Sequence, residues 1–190
     1  MGKLIVFAGH AGTGKTTLAK RAMPILMDKC RHPFIFLDKD TAYGAFSSHL
    51  LSVLTGNGQD RDSPFYLEHF RDMEYSGLID IARENLELGV DVIMVGPFSR
   101  EIQSLHLFDP AFFRLPKETD IKVIWVDLDV QVAKARIIKR NDPRDQWKIE
   151  HWQEYQKRRI EPPQHPQLFR FENSVFNPTT FDVLLTQIAA

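Results

Sequence analysis

Residues 9–16 read GHAGTGKT and fit the pattern G-x-x-x-x-G-K-[ST] at every position. The run KLIVFA at residues 3–8 precedes this stretch, and its β-branched and aromatic residues predict a buried strand. From Lys15 to about residue 28, apolar residues recur near helical spacing, and Pro24 is expected to kink the helix. The sequence therefore predicts a glycine-rich loop between a strand and the N-terminus of a helix.

A glycine-rich loop in this position is suited to phosphate. Its glycines let successive backbone N–H groups point inward, and the following helix N-terminus adds partial positive charge. The pattern assigns Lys15 to the β- and γ-phosphates of a nucleoside triphosphate and the Thr16 hydroxyl to Mg²⁺. The other residues expected to bind the nucleotide here are Gly9, Ala11, Gly12, Thr13, Gly14 and Thr17. The alternative is an ordinary glycine turn, against which the eight matching positions and both flanks argue.

The composition predicts one folded domain over residues 1–190. The chain is 43% hydrophobic with a net charge of −1, which excludes general disorder and a nucleic-acid coat protein. Cys30 is the single cysteine, so an internal disulfide is excluded. No run approaches the ~18 consecutive apolar residues of a membrane span. The N-terminal residues do not read as a signal peptide, so we expect a cytoplasmic protein with no membrane partner.

Strand and helix patterns alternate along the chain. This alternation predicts an α/β fold, a three-layer sandwich in which a parallel five-stranded sheet lies between helices. Further strands are predicted at residues 34–37, 92–95, 121–126 and 168–171. Helices are predicted at residues 15–28, 43–54, 64–88, 130–140 and 178–188, with a polar helix after Pro143 that ends near residue 160. Asp129 is expected to cap the helix at residues 130–140.

Two carboxylates follow the second predicted strand. Open parallel sheets bind ligands beyond the carboxyl ends of their strands, so Asp38 and Asp40 are expected beside the phosphate loop. One is expected to cap the next helix. The other is expected to accept a proton from a substrate hydroxyl or to orient Mg²⁺ through water. The residues alone leave open which carboxylate has which role.

Basic residues are concentrated in one segment. Residues 134–159 hold nine basic and four acidic side chains, a charge of +5, whereas the rest of the chain carries −6. Within it, Arg136 and Arg140 share a helix face, and Arg144 follows Pro143. Because arginine pairs well with phosphoryl oxygens, the segment predicts a helical basic lid over the nucleotide. The alternatives are a solvated helix surface and, less favoured, a grip on a nucleic-acid backbone.

These features together resemble the small, AAA_33-like P-loop kinases, which include gluconate and shikimate kinases, polynucleotide 5′-kinases, chloramphenicol phosphotransferases and zeta-type toxins. The resemblance covers most of the chain. It rests on the phosphate loop, LDKD at residues 37–40, the helix at 71–89, Pro97-Phe98 and the segment 136–145. It implies a P-loop NTPase fold and an ATP- and Mg²⁺-dependent kinase that transfers the γ-phosphoryl group to a hydroxyl of a small molecule or nucleotide.

The resemblance implies catalytic and metal-binding roles for individual residues. In such kinases the second acid of a strand-two D-x-D motif contacts the acceptor hydroxyl, which assigns this role to Asp40, with Asp38 as the alternative. Many relatives end strand three with an acid that contacts the water shell of Mg²⁺, but residues 92–98 hold none. Magnesium would then depend on Thr16 together with Asp38 or Asp40.

The resemblance also implies how the lid, at about residues 136–160, acts. Arg140 and Arg144 would close on ATP and shield the phosphoryl group from water, and Arg136 would lie near the adenine. Two other functions stay open. A regulatory P-loop NTPase would use hydrolysis as a switch, although the guanine motif N-K-x-D of a GTPase is absent. A polynucleotide 5′-hydroxyl kinase would share the chemistry but take a nucleic-acid partner. The oligomeric state is not determined.

The acceptor pocket is assigned through the same resemblance. Its candidate residues are Arg71, Tyr75, Phe98 and Arg100. An anionic or hydroxyl-rich acceptor would suit Arg71, and a ring would stack on Tyr75 and Phe98. For the two aromatic residues, core packing is the alternative, and it is favoured over stacking on a ring. For Arg71, the alternative is a surface ion pair with Glu68 or Glu74.

Overall fold

Five parallel strands form one sheet in the computed structural model, which describes residues 2–190. The strands are β1 (Lys3–Ala8), β2 (Phe34–Asp38), β3 (Asp91–Val95), β4 (Asp120–Asp127) and β5 (Leu168–Glu172). Their order across the sheet is β2-β3-β1-β4-β5, and every neighbouring pair is parallel. The predicted fold class is confirmed, and β1 lies at the centre, directly before the phosphate loop.

Helices cover both faces of the sheet. They are α1 (Lys15–Cys30), α2 (Lys39–Thr55), α3 (Pro64–His69), α4 (Arg71–Glu87), α5 (Ser99–Gln103), α6 (Val130–Arg140), α7 (Gln146–Glu150), α8 (Trp152–Lys157) and α9 (Pro178–Ala189). Alternate residues of β1 point to opposite faces. Accordingly, Leu4 and Val6 pack with α4, whereas Ile5 and Phe7 pack with α1 and α9. Because both sets are buried, the central strand reads as a continuous apolar run.

Side-chain caps determine where two helices begin. Asp129 accepts the N–H groups of Gln131 and Val132 and starts α6, as predicted. Asp38 likewise accepts the N–H groups of Asp40 and Thr41. This cap starts α2 directly after β2, whereas apolar spacing had predicted the helix only from residue 43. The chain therefore turns from β2 into α2 without a loop.

Two predicted helices are interrupted. The stretch at residues 64–88 forms α3 and α4, which meet at Phe70, where the φ of −119° departs from the usual helical value of about −63°. The polar helix after Pro143 forms α7 and α8, separated by His151 with a φ of −113°. By contrast, α1 continues past Pro24 to Cys30. Within residues 2–190, no helix is long and apolar enough to cross a membrane.

Candidate active site

A cleft of about 760 Å³ opens where the carboxyl ends of β1, β2 and β3 meet. This is the sheet edge at which open parallel sheets bind ligands. The predicted residues that line it are Ala11, Gly12, Gly14, Lys15, Thr16, Thr17, Asp38, Asp40, Arg71, Tyr75, Arg100, Arg136, Arg140 and Arg144. The predicted residues outside the lining are Gly9, Thr13 and Phe98. The fold thus brings most of the proposed nucleotide, metal and acceptor residues to one cleft.

The phosphate loop requires glycine where other backbone lies close to it. At Gly9, with a φ of 135°, a Cβ would lie 2.5 Å from the carbonyl oxygen of Val126 in β4. At Gly12, with a φ of 80°, a Cβ would lie 2.8 Å from the carbonyl oxygen of Ala133 in α6. Residues with a side chain rarely adopt these φ values. The loop therefore packs directly against β4 and α6, which holds its curved shape.

The ammonium group of Lys15 is partly buried within the loop. Its Nζ donates a hydrogen bond of 2.6 Å to the carbonyl oxygen of His10, which also accepts the Thr13 hydroxyl at 3.0 Å. Burial lowers the pKa of Lys15 to about 8, and the carboxylates of Asp40 and Asp38 oppose this shift. An anion that binds here meets a poorly solvated cation, so their attraction is screened less than at the surface.

Thr16 and Asp38 bring a hydroxyl and a carboxylate together beside the loop. The Thr16 hydroxyl donates to Asp38 Oδ2 at 2.9 Å, while Asp38 Oδ1 caps α2. These donors fit Mg²⁺, which takes one or two protein carboxylates and completes its shell with water and substrate phosphates. Within residues 2–190, no group of three or more His, Cys, Asp or Glu side chains could hold a metal. Thr16 and Asp38 remain the proposed metal residues.

Asp40 projects into the cleft from the first turn of α2, and its side chain is 52% exposed. Three cations contact its carboxylate, namely Lys39 at 3.3 Å, Arg61 at 3.1 Å and Arg144 at 3.2 Å. Burial alone would raise the pKa of Asp40, but these cations lower it to about 2. Asp40 is therefore ionised at neutral pH and can accept a hydrogen bond from a hydroxyl.

A buried ionic cluster lies behind Asp40, and its centre is Glu74 of α4, whose side chain is 3% exposed. Glu74 accepts hydrogen bonds from Lys39 at 2.6 Å, Arg61 at 2.7 Å, Tyr66 at 2.6 Å and Ser47 at 2.5 Å. Lys39 and Arg61 also contact Asp40, so Glu74 holds both cations in place. Sequence reasoning missed the cluster. The available signal was a charged residue within the buried stripe of α4.

The lid arginines are paired with acids. Arg140 Nε donates to Asp145 at 2.9 Å, and Arg144 donates to Asp142 at 2.7 Å besides contacting Asp40. The contact with Asp40 brings the lid onto the proposed catalytic carboxylate. An arginine in this position can exchange a carboxylate for a phosphoryl oxygen, since both accept its planar fork.

Arg136 of α6 and the segment after β5 form hydrogen bonds that support the phosphate loop. The Arg136 guanidinium donates to the carbonyl oxygens of Asn173 at 2.8 Å and Ser174 at 3.2 Å. The Asn173 side chain in turn donates to the carbonyl oxygen of Thr13 at 2.7 Å. Arg136 thus ties α6, the segment after β5 and the loop together at the cleft, while its proposed place near the adenine stays a prediction.

The charged residues on the proposed acceptor side form more ion pairs within the protein than the sequence predicts. Arg71 donates two hydrogen bonds to Glu101, at 2.7 and 2.9 Å, and does not form the ion pair with Glu68 or Glu74 that was its alternative. The reason is α5, which sequence periodicity did not predict and which carries Glu101 opposite α4. Phe98 is fully buried and packs edge-on against Tyr75 at 5.0 Å, the packing role left open as its alternative.

Tyr75 of α4 and Arg100 of α5 both line the cleft. The Tyr75 ring lies 4.0 Å below the Arg71 guanidinium, an attractive cation–π arrangement that orients both groups. Arg100 is half-exposed and contacts Asp72 at 3.3 Å. A second cavity of about 550 Å³ shares Arg71, Tyr75 and Arg100 with the main cleft. The proposed acceptor side therefore adjoins additional space along α4.

The strand order and the loop after the central strand define a P-loop NTPase fold. A family model described as an AAA domain, AAA_33, matches residues 4–163. The chain belongs to this family, which confirms the predicted family resemblance. No curated protein sequence matches the chain.

Solved structures with the same fold include three named kinases. A sugar kinase from Janibacter sp. HTCC2649 is 16% identical with a TM-score of 0.63, covering 100% of this chain and 99% of that chain. The APS kinase of Mycobacterium tuberculosis, in complex with AMPPNP and APS, is 17% identical with a TM-score of 0.60 and coverages of 98% and 95%. A gluconokinase from Sinorhizobium meliloti 1021 is 15% identical with a TM-score of 0.51 and coverages of 99% and 89%. At these identities the likeness is one of fold.

Proposed function

We propose that this protein is an ATP- and Mg²⁺-dependent kinase that transfers the γ-phosphoryl group to a hydroxyl of a small molecule or nucleotide. The observation that carries the proposal is the cleft itself. Lys15 and Thr16 of the phosphate loop share the cleft with Asp38 and Asp40, which lie at the carboxyl end of β2, and with the arginines of the proposed lid. The kinases among the solved structures of the same fold support the same class of reaction.

Each group in the cleft matches one requirement of phosphoryl transfer. Positioning and electrostatic stabilisation supply most of the catalysis, because little covalent chemistry falls to the protein. Lys15, Arg140 and Arg144 would balance charge on the phosphoryl oxygens. Mg²⁺ held by Thr16 and Asp38 would neutralise phosphate charge when bound. Asp40 would orient the acceptor hydroxyl by accepting its hydrogen bond.

The low pKa of Asp40 refines its proposed role. A carboxylate with a pKa near 2 is a weak base, so it does not remove the hydroxyl proton before transfer begins. It can align the hydroxyl oxygen in the ground state and receive the proton late, as the bond to phosphorus forms. This order suits the loose transition state described for phosphoryl transfer.

The test is a screen for acceptor-stimulated ADP release. The acceptors in the screen are sugars, nucleosides, aminoglycosides and other antibiotics, and 5′-hydroxyl oligonucleotides. We expect one class to stimulate release and Asp40→Asn to abolish the stimulation while keeping ATP binding. Asp182→Asn, on the exposed side of α9, is the matched control and should retain full transfer. Hydrolysis that no acceptor changes would instead favour a regulatory NTPase.

A further inference from the structure

One buried phenol of the lid has no role in the chemistry described above. Tyr155 lies on α8, its residue is 8% exposed, and its ring packs 5.4 Å from Trp152. The side chain lines the same cleft as the phosphate loop. Its hydroxyl oxygen accepts the backbone N–H of Ala11 at 3.0 Å. Tyr155 therefore connects the lid directly to the loop.

A second contact holds the same parts together. His10 Nε2 lies 3.2 Å from the backbone nitrogen and 3.1 Å from the carbonyl oxygen of Ile160, just after the lid helices. Burial lowers the pKa of His10 to about 4, so its ring is neutral at pH 7, and its tautomer decides whether Nε2 accepts from the N–H or donates to the carbonyl oxygen. The lid is thus attached to two successive loop residues, His10 and Ala11.

The hydroxyl proton of Tyr155 has no acceptor within hydrogen-bond distance in residues 2–190. A phenol carries one donor besides its acceptor oxygen, and here only the oxygen is used. A buried donor without a partner costs free energy, so the site is prepared for an acceptor from outside the chain. Burial raises the pKa of Tyr155 to about 12, so the group remains a donor at physiological pH.

The position of Tyr155 indicates which phosphate it would meet. In this loop type, the lysine reaches the β- and γ-phosphates. Lys15 contacts the carbonyl oxygen of His10, and Tyr155 contacts the N–H of Ala11, which are the two ends of one peptide group. Tyr155 therefore lies at the terminal-phosphate end of the loop, away from the helix N-terminus that faces the inner phosphates.

We propose that the Tyr155 hydroxyl donates a hydrogen bond to a terminal phosphoryl oxygen of the bound nucleoside triphosphate, so that this lid residue distinguishes ATP from ADP. The inference rests on the proposed function, because it requires a triphosphate in the cleft. Loss of the terminal phosphoryl group would leave the Tyr155 proton without its acceptor. The contact of the same hydroxyl with Ala11 does not depend on the phosphoryl group, so transfer would remove only the phosphoryl contact.

The test is the binding of Mg²⁺–AMPPNP and Mg²⁺–ADP to wild-type protein and Tyr155→Phe by isothermal titration calorimetry. Phenylalanine keeps the ring packing and removes only the hydroxyl. We expect the affinity for AMPPNP to fall at least about tenfold, which equals about 1.4 kcal/mol, and the affinity for ADP to change less than about threefold. Tyr43→Phe, on α2, removes another phenol hydroxyl as the matched control and should bind both nucleotides normally.

Each other outcome has a distinct meaning. An equal loss for both nucleotides would show that Tyr155 only supports the loop through Ala11, and would overturn the inference. Unchanged binding of both nucleotides would overturn it as well. A wild-type protein that binds neither nucleotide would refute the proposed function and the inference with it. Thermal unfolding of Tyr155→Phe, compared with Tyr43→Phe, separates a loss of binding from a loss of folded protein.

Discussion

Replacing Glu74 by glutamine removes one negative charge from a site that buries two cations. The Lys39 and Arg61 side chains are 8% and 6% exposed, and both donate to Glu74 at 2.7 Å or less. Removing one partner of a buried ion pair lowers the free energy of unfolding by about 3–5 kcal/mol, because the remaining charge is left uncompensated. Glutamine keeps one acceptor oxygen, and Asp40 still contacts both cations. We therefore expect Glu74→Gln to lower the free energy of unfolding by about 3 kcal/mol.

Urea denaturation followed by circular dichroism measures this change. Glu118→Gln is the matched control, since Glu118 is exposed and makes no ion pair within residues 2–190, and its effect should stay within about 0.5 kcal/mol. A loss below about 1 kcal/mol in Glu74→Gln would refute the reasoning. It would mean that solvent screens the cluster despite its burial.

The pH dependence gives a second check on the same cluster. Lys39 and Arg61 hold the pKa of Glu74 below its ordinary value of 4.5, even though burial alone would raise it. A depressed carboxyl pKa contributes stability that is present above the ordinary value and is lost as the pH falls below it. The wild-type protein should therefore lose its advantage over Glu74→Gln progressively below about pH 4.5. An advantage that persisted unchanged at pH 3 would contradict the proposed pairing.

Three further predictions concern the loop and the lid. Lys15 has a pKa near 8, and a bound polyanion would raise this pKa. ATP binding at pH 9 should therefore be accompanied by proton uptake. The uptake would appear in calorimetry as a binding enthalpy that depends on the buffer at pH 9 but not at pH 6.5. Gly9→Ala should lower the free energy of unfolding by about 3 kcal/mol, because the new Cβ would lie 2.5 Å from the backbone of β4. Gly56 also has a positive φ but has no neighbouring atom within 4 Å, so Gly56→Ala should lower the free energy of unfolding by only about 1 kcal/mol. Equal losses of unfolding free energy in the two variants would refute the packing argument. Arg144→Met should raise the pKa of Asp40, measured by carboxyl NMR titration, and an unchanged value would contradict their contact.

Much of the fold was predictable because its signals are local. The apolar run in residues 3–8, the glycine spacing of residues 9–16 and the cap at Asp129 each depend on a few consecutive residues. Apolar periodicity also predicted the strands and the α/β class, since burial on both sheet faces leaves a continuous apolar run. Helix limits were less accurate, because Asp38 starts α2 through a backbone contact that apolar spacing does not reveal.

The sequence by itself therefore determined the phosphate loop, the parallel sheet and the two carboxylates where β2 meets α2. Only the tertiary structure decided the partners of the charged and polar groups. Arg71 pairs with Glu101 30 positions away, Glu74 joins Lys39 across 35 positions, and Tyr155 reaches Ala11 across 144. The physical reason is that periodicity reports whether a residue is buried, whereas a hydrogen bond or ion pair depends on which distant element folds against it.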